Sequence, residues 1–88
     1  MTWKLPVRLF ARLRELAGAD VINVTVPNDA TVRDIRTAVE RLWPQASGLL
    51  ANSAVAVNNE YAEADHPIRP RDEVAIIPPV SGGTERDM

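Results

Sequence analysis

Two adjacent glycines near the C-terminus, Gly82 and Gly83, form the segment of this chain best suited to chemistry. Because glycine has no Cβ atom, a diglycine can enter a slot too narrow for any other dipeptide and can adopt φ values closed to other residues. The segment from Pro79 to Gly83 can project about 16 Å beyond a domain, at ~3.3 Å per residue. Such a segment suits the delivery of a C-terminal carboxyl group into the active site of another protein.

The residues before the glycines predict a strand with a rigid exit. Residues 73–77 are largely apolar, as expected of a buried strand. Pro78 and Pro79 fix φ and lack backbone donors, so the chain should leave the sheet extended rather than fold back on it. We therefore expect a folded domain over residues 1–81 and a flexible tail over residues 82–88.

A short extension, Thr84 to Met88, follows Gly83 and holds its carboxyl group in a peptide bond. This extension is polar and has nothing to bury, so we expect it to be disordered and open to a protease. Delivery of a Gly83 carboxyl group therefore requires cleavage after Gly83. The alternative is a frayed chain end whose glycines have no function.

Hydrophobic periodicity predicts the strands that must position this tail. Asn58-Asn59 suits the tight turn of a hairpin, because asparagine tolerates positive φ. Pro6 cannot donate to a ladder, so it should lie at a strand start or face away from a paired neighbour. The predicted strands are residues 3–9, 21–26, 53–57, 60–62 and 73–77.

Two segments have helical spacing. Residues 10–17 predict a short helix that ends at Gly18, a residue suited to a left-handed cap. Thr31 and Asp34 resemble a capping box at the start of a longer helix, which should end before Pro44. The apolar residues expected on one face of this main helix are Val32, Ile35, Val39 and Leu42. Residues 46–48 are typical of a turn.

The order of these elements predicts the fold class. Two strands precede the main helix, and a hairpin and a final strand follow it. This order fits an α+β fold of the β-grasp, or ubiquitin-like, type, in which one main helix lies across one face of a mixed sheet. A short helix, rather than a tight hairpin, joins the first two strands.

The composition excludes several classes of function. The chain has 88 residues, enough for one small domain. Its net charge is −2 and it has no basic cluster, so we expect no nucleic-acid partner. No apolar run approaches the ~20 residues of a membrane span, and the N-terminus lacks a signal sequence. We therefore expect a cytoplasmic protein with no membrane partner.

Cysteine and histidine, two residue types common in catalysis and metal binding, are almost absent from this chain. The chain has no cysteine, so any sulfur chemistry must use sulfur that arrives from elsewhere. His66 is the only histidine and has no ligand partner at a suitable spacing, so we expect no metal site and a hydrogen bond within its loop. Trp3 and Trp43 should pack at the core or its edge.

Four stretches resemble the small-subunit family of molybdopterin synthase, whose members are ubiquitin-like sulfur carriers. The stretches are residues 10–16, 57–58, 65–68 and 72–83. The last is the most specific, because the family ends in Asp-Glu-Val-Ala, two large apolar residues, Pro-Pro-Val, a small residue and Gly-Gly. Arg69-Pro70-Arg71 departs from the glycine-containing turn of the family, and we expect that difference to stay local.

The resemblance implies that this chain donates sulfur and is not an enzyme on its own. An adenylating enzyme of the ubiquitin-activating kind would use ATP to activate the Gly83 carboxylate, and a persulfide sulfur would displace AMP. The resulting thiocarboxylate would enter the large synthase subunit, within a heterotetramer, and give sulfur to a pterin precursor in molybdenum cofactor biosynthesis. The chain would bind no cofactor tightly, and the catalytic side chains would belong to its partners.

The resemblance also implies which residues bind the partners. Phe10, Tyr61 and Ile77 match apolar docking side chains of the family, and Arg14 matches a basic one. The segment expected to enter the partner comprises Pro78, Pro79, Val80, Ser81, Gly82 and Gly83.

Two other functions stay open at this point. The first is a thiocarboxylate carrier for thiamine, cysteine or nucleoside thiolation, since such carriers share the fold and the Gly-Gly end. The second is a ubiquitin-like binding or protein-modifying domain whose tail is never thiolated. Phe10, the segment Arg14-Glu15-Leu16 and the Pro-Pro-Val-Ser sequence favour the synthase subunit.

Overall fold

A computed structural model of the chain describes residues 1–79. The strands are β1 (Thr2–Leu9), β2 (Val21–Pro27), β3 (Ala54–Val57), β4 (Glu60–Ala62) and β5 (Val74–Ile77). The helices are α1 (Ala11–Ala17), α2 (Val32–Leu42) and α3 (Ser47–Ala51), and a 3-10 turn at Pro44–Ala46 precedes α3. None of the helices in this part of the chain is long and apolar enough to cross a membrane.

The strands form one mixed sheet in the order β2-β1-β5-β3-β4. β1 and β5 are parallel, and the other neighbouring strands are antiparallel. The last strand of the described part of the chain, β5, therefore lies at the centre of the sheet, between β1 and β3. This topology, with the main helix α2 across one face, confirms the predicted β-grasp fold.

The core lies between α2 and the sheet face that it covers. In β5, Val74 and Ile76 are buried while Ala75 and Ile77 are half-buried on the open face, as their alternation predicted. The two tryptophans pack against the edge of this core, which confirms their predicted role. The buried residues of β1 and α2 are Leu5, Val7, Leu9, Val32, Ile35 and Val39.

The start of α2 confirms the predicted cap, but its end differs from the prediction. The Thr31 backbone N–H donates to the Asp34 carboxylate at 2.8 Å. Leu42 was expected on the core face, yet it is 52% exposed. It lies in the last turn of α2, beside β2 at the edge of the sheet, and no further strand among residues 1–79 covers it.

The turn predicted at residues 46–48 is wrong, because this segment belongs to the 3-10 turn and to α3. Arg36 of α2 donates to the carbonyl oxygens of Leu50 (2.6 Å) and Ser53 (2.5 Å), one within α3 and one just after it. Leu50 is also buried in the core. Tertiary contacts therefore stabilise a helix too short for its own periodicity to indicate.

Two predicted backbone features are confirmed near β1. Gly18 ends α1 in the left-handed region with φ of 70°, and its N–H donates to the Arg14 carbonyl at 2.9 Å. Pro6 lies opposite Asn23 of β2 in a pair that exchanges no hydrogen bonds, because the Leu9 N–H donates to Asp20 and bonded pairs alternate. Although Pro6 lacks a backbone N–H, no hydrogen bond between β1 and β2 is lost at this position.

Candidate functional site

The open face of the sheet contains a hollow of about 260 Å³ that we call the front hollow. Phe10, Tyr61 and Ile77 all line it, together with Ala56 and Ala75 on the floor. Strand register explains the grouping, because Ala56 is paired with Tyr61 on one side and with Ala75 on the other. The structure thus brings together three residues that are distant in sequence, and their role in docking stays a prediction.

Phe10 is held at the rim of the front hollow by the junction between β1 and α1. It is the N-cap of α1 in extended conformation, and the next residue, Ala11, has φ of 52°. This positive φ is unusual for a residue with a Cβ atom, and it turns the chain sharply from strand to helix. The turn leaves the Phe10 side chain 38% exposed.

Tyr61 is positioned by the tight turn between β3 and β4. Asn58 and Asn59 have φ of 54° and 70°, the two positive values that a type I′ hairpin turn requires. The short return strand then places Tyr61 on the open face, where it is 76% exposed. The predicted hairpin is therefore confirmed, and it presents the largest apolar ring surface of the site to solvent.

A hydrogen-bond network ties this hairpin to the start of β5. Asn58 donates from its side chain to Asp72 at 3.0 Å and accepts from the Glu73 N–H at 2.9 Å. Asp72 also accepts from the Arg69 N–H at 2.8 Å. That backbone bond first, and the Asn58 bond second, lower the pKa of Asp72 below its ordinary value. The carboxylate closes the loop without a glycine, and the expectation that the difference from the family turn is local stays a prediction.

Arg8 was missed as a site residue by the sequence reading. Its guanidinium lies 5.5 Å from the centre of the Phe10 ring, a cation–π distance, and the residue lines the front hollow with Glu73 and Asn59. The signal was present, because residues at positions i and i+2 of a strand share a face. The alternation of β1 was interpreted only through its apolar residues. It therefore did not predict that charged residues lie at the rim of the hollow.

Arg14 does not line the front hollow. It lies in α1, and its guanidinium is 3.6 Å from the Asp20 carboxylate at an exposed position. An exposed ion pair of this kind contributes little to stability. Arg14 is therefore free to exchange this carboxylate for another, and its predicted role in binding stays a prediction.

The chain leaves the sheet beside the front hollow. Pro78 is buried directly after Ile77, and Pro79 is exposed next to Leu16 of α1 and Leu49 of α3. The remaining predicted site residues lie outside the described residues: Val80, Ser81, Gly82 and Gly83. The expected flexible tail over residues 82–88 lies there as well.

The described residues combine an open apolar hollow with few grouped ionisable side chains. Within residues 1–79, no group of three or more His, Asp or Glu side chains is placed to hold a metal ion. The hydrogen bonds of His66 in this part of the chain are made by its backbone: its carbonyl accepts from the Val32 N–H at 3.0 Å. An open apolar hollow of this kind can accept side chains of another protein.

Comparison with known proteins gives a consistent result. A family model described as the ThiS family matches residues 7–83. The molybdopterin synthase sulfur carrier subunit of Dictyostelium discoideum is 40% identical, with 94% of this chain and all of the relative aligned. The protein of the same name from Escherichia coli is 38% identical over 90% of this chain and 99% of its own length.

A solved structure is similar over most of the chain. The crystal structure of SAMP1 from Haloferax volcanii matches with a TM-score of 0.78 and 34% identity, covering 92% of this chain and all of that chain. A relative named small archaeal modifier protein 1, from the same organism, is 36% identical over 94% of this chain.

Proposed function

Because the chain belongs to the ThiS family, we propose that it is a sulfur carrier and acts as the small subunit of molybdopterin synthase. The observation that carries this proposal is the 38–40% identity to two curated sulfur carrier subunits along nearly their whole length. The β-grasp domain supports the same function, since only four residues separate the end of its central strand from Gly82-Gly83 in the sequence.

The proposed chemistry takes place at the carboxyl group of Gly83. A carboxylate is a poor electrophile, so a partner of the ubiquitin-activating type joins it to the AMP portion of ATP and releases pyrophosphate. A persulfide sulfur then attacks the carbonyl carbon and AMP leaves. A thiol reductant cleaves the sulfur–sulfur bond and leaves a thiocarboxylate on Gly83. This chain contributes the reacting carbonyl group, and the partners contribute the catalytic groups.

The front hollow is the proposed docking surface for the large synthase subunit. Phe10, Tyr61 and Ile77 expose apolar area around it, and exposed aromatic side chains are common anchors of interfaces. Ile77 lies only six residues before Gly83, so a partner seated on the hollow is within reach of the chain end. The geometry therefore supports docking and sulfur delivery as one binding event.

Removal of residues 84–88 is a necessary step of this proposal. Adenylation needs a free carboxylate, and Gly83 is joined by a peptide bond to Thr84. The side chains of Glu85 and Arg86 are also too large for a slot shaped for two glycines. We therefore include a protease that cleaves after Gly83 among the partners.

Intact mass spectrometry tests the sulfur-carrier function. A chain ending at Gly83 should gain the mass difference between sulfur and oxygen when incubated with an adenylating enzyme, ATP and a persulfide donor. The full-length chain should stay unchanged unless a protease is present. A Gly83-terminated chain that is never adenylated by a competent activating enzyme would contradict the proposal.

A second candidate function is protein modification, and the similarity to small archaeal modifier protein 1 favours it. The Gly83 acyl-adenylate is again the intermediate, but a lysine amine rather than a persulfide attacks it. Capture of partners by the Gly83-terminated chain distinguishes the candidates. A large synthase subunit supports sulfur transfer to pterin, other sulfur-transfer enzymes support a different thiolation pathway, and lysine-linked conjugates support modification.

A further inference from the structure

β2 is an edge strand, and one of its two sides has no neighbouring strand within residues 1–79. The Leu9 N–H donates to the Asp20 carbonyl at 2.8 Å, and this bond fixes the alternation along the β1–β2 pair. Every second residue of β2, starting at Ile22, therefore bonds to β1. The backbone N–H and C=O groups of the alternate residues point away from β1, toward the open edge of the sheet. These residues are Val21, Asn23 and Thr25.

This edge lacks the features that normally prevent strands from pairing with other chains. Edge strands are usually short, bulged or charged, or they carry proline. β2 has seven residues, pairs with β1 in unbroken register and contains no charged residue. The one residue of β2 that hinders pairing with another strand is Pro27, the last residue of the strand. The stretch from Val21 to Val26 is thus a template for one more strand.

A hollow of about 270 Å³ lies between this edge and α2, and we call it the edge hollow. Asn23 and Thr25 of β2 and Ala38, Arg41 and Leu42 of α2 line it. Leu42 continues the apolar stripe of α2 but is 52% exposed. The apolar stripe therefore extends past the last strand of the sheet, over the position that a sixth strand would occupy.

The charge of the edge hollow indicates what a sixth strand should carry. Arg41 is exposed, and within the described part of the chain no carboxylate lies within ion-pair distance of it. No acidic residue lines the edge hollow. An incoming strand with a carboxylate near Arg41 would add an ion pair that the chain itself does not provide.

We propose that β2 binds an extended acidic segment of a partner protein, which adds to the sheet as a sixth strand. Its backbone pairs with the outward groups of Val21, Asn23 and Thr25. An apolar side chain on its helix-facing side covers Leu42 and Ala38, and a carboxylate contacts Arg41. This is strand addition to a sheet edge, with backbone bonds for affinity and a hollow for specificity. The site is separate from the front hollow and goes beyond the sulfur-carrier function.

The same argument disfavours a second copy of this chain as the occupant. Two β2 strands paired about a two-fold axis would bring both edge hollows to the same place, because each hollow lies at the middle of its strand. Arg41 would then approach Arg41 with no carboxylate from either hollow between them. Like charges at such a contact destabilise it.

Titration with a synthetic peptide tests the proposal. The probe is a blocked peptide, Asp-Thr-Val-Thr-Val-Thr-Glu, whose valines and two carboxylates share one face of an extended strand. It is added to the full-length, isotope-labelled chain and followed by NMR and amide hydrogen exchange. The expected result is saturable binding that slows exchange of the Val21, Asn23 and Thr25 amides. Replacing both acidic residues of the peptide by lysine should weaken binding at least tenfold.

Two variants and one control locate the site. Thr25→Pro removes an outward donor without breaking a β1–β2 bond, and it should reduce peptide affinity at least tenfold while circular dichroism stays unchanged. Arg41→Glu should reduce affinity for the acidic peptide and restore affinity for the lysine peptide. Arg33→Glu, on an exposed position of α2 outside the edge hollow, should have no effect.

Three outcomes would overturn the proposal. One is no binding at millimolar peptide, and another is binding that perturbs the Phe10 face instead of β2. The third is a dimer of the full-length chain that Thr25→Pro abolishes, because the edge would then serve self-association. None of these outcomes bears on thiolation of Gly83, so the sulfur-carrier function is tested independently.

Discussion

The docking surface proposed at the front hollow consists of a few side chains, so single substitutions should separate docking from folding. Phe10 and Ile77 line the hollow without being fully buried. Phe10→Asp or Ile77→Asp should weaken binding to a large synthase subunit by several kcal/mol, because a carboxylate would be buried unpaired at the interface. A binding titration measures the loss, and circular dichroism checks the fold.

Leu42→Asp is the matched control for this docking prediction. Leu42 is similarly apolar and exposed, but it lies on the opposite side of the sheet. Its substitution should leave the affinity for the large subunit unchanged. Equal affinity of all three variants and the natural chain would remove the front hollow from the docking surface.

Asp72 makes stability depend on acid pH. Its folded pKa lies below the ordinary value of 3.8 because the charged carboxylate accepts hydrogen bonds from Arg69 and Asn58. A lowered folded pKa stabilises the fold above the unfolded pKa, and this contribution disappears as pH falls through the folded pKa. Asp72→Asn should therefore destabilise the domain at pH 7 and make little difference well below pH 3.8.

Urea unfolding at a series of pH values measures the Asp72 effect. Asp65→Asn is a suitable control, because Asp65 lies in the same loop region and is exposed. A stability difference between the Asp72→Asn variant and the natural chain that stays constant from pH 7 to pH 2 would contradict the assignment.

At the level of elements, the sequence predicts the strands and which side chains of each strand face the core. It does not predict which strands lie next to each other in the sheet. The alternation of Val74 and Ile76 with Ala75 and Ile77 fixed which side chains point inward. That Tyr61 shares a hollow with Ile77 depends on the register through β3, a long-range pairing that no local pattern encodes. α3 was missed for the same reason, since contacts with α2 stabilise it.

Arg36 should be the residue on which α3 depends most. Its guanidinium donates to two carbonyl oxygens, of Leu50 and Ser53, at the end of this short helix. Arg36→Met keeps the apolar length of the side chain but removes both donors, and it should cost about 1.5–3 kcal/mol. Hydrogen exchange should accelerate at the Asn52 and Ser53 amides, which bond to α3 carbonyls.

Arg33→Met provides the control for Arg36, because Arg33 lies on the same helix and is exposed. It should leave both the stability and the exchange pattern of α3 unchanged. Equal exchange rates at Asn52 and Ser53 in both variants would show that packing alone holds α3 in place.

At the scale of the whole molecule, the domain is small and depends on its central strand. Ile76 is fully buried in β5, which pairs with both β1 and β3. Ile76→Ala should cost about 2–5 kcal/mol, a large part of the ~5–15 kcal/mol that stabilises a typical domain. Thermal and urea unfolding measure the loss, and a loss below about 1 kcal/mol would mean that the core relaxes around the cavity.

Ala75→Gly is a useful comparison for Ile76, since Ala75 is on the open face of the same strand. It removes a methyl group from a half-buried position and should cost much less. The difference between the two variants separates loss of core packing from weakening of the strand.

The parallel pairing of β1 with β5 also has a consequence for synthesis of the protein. β1 leaves the ribosome first, but its pairing with β5 can form only after the last described strand has been synthesised. The sheet is incomplete until then, because β5 lies between β1 and β3. Until Ile77 has emerged, the nascent chain can form the antiparallel β1–β2 pair and α2, but neither the full sheet nor the front hollow. A partner that recognises the front hollow would therefore bind only chains whose synthesis has already passed β5.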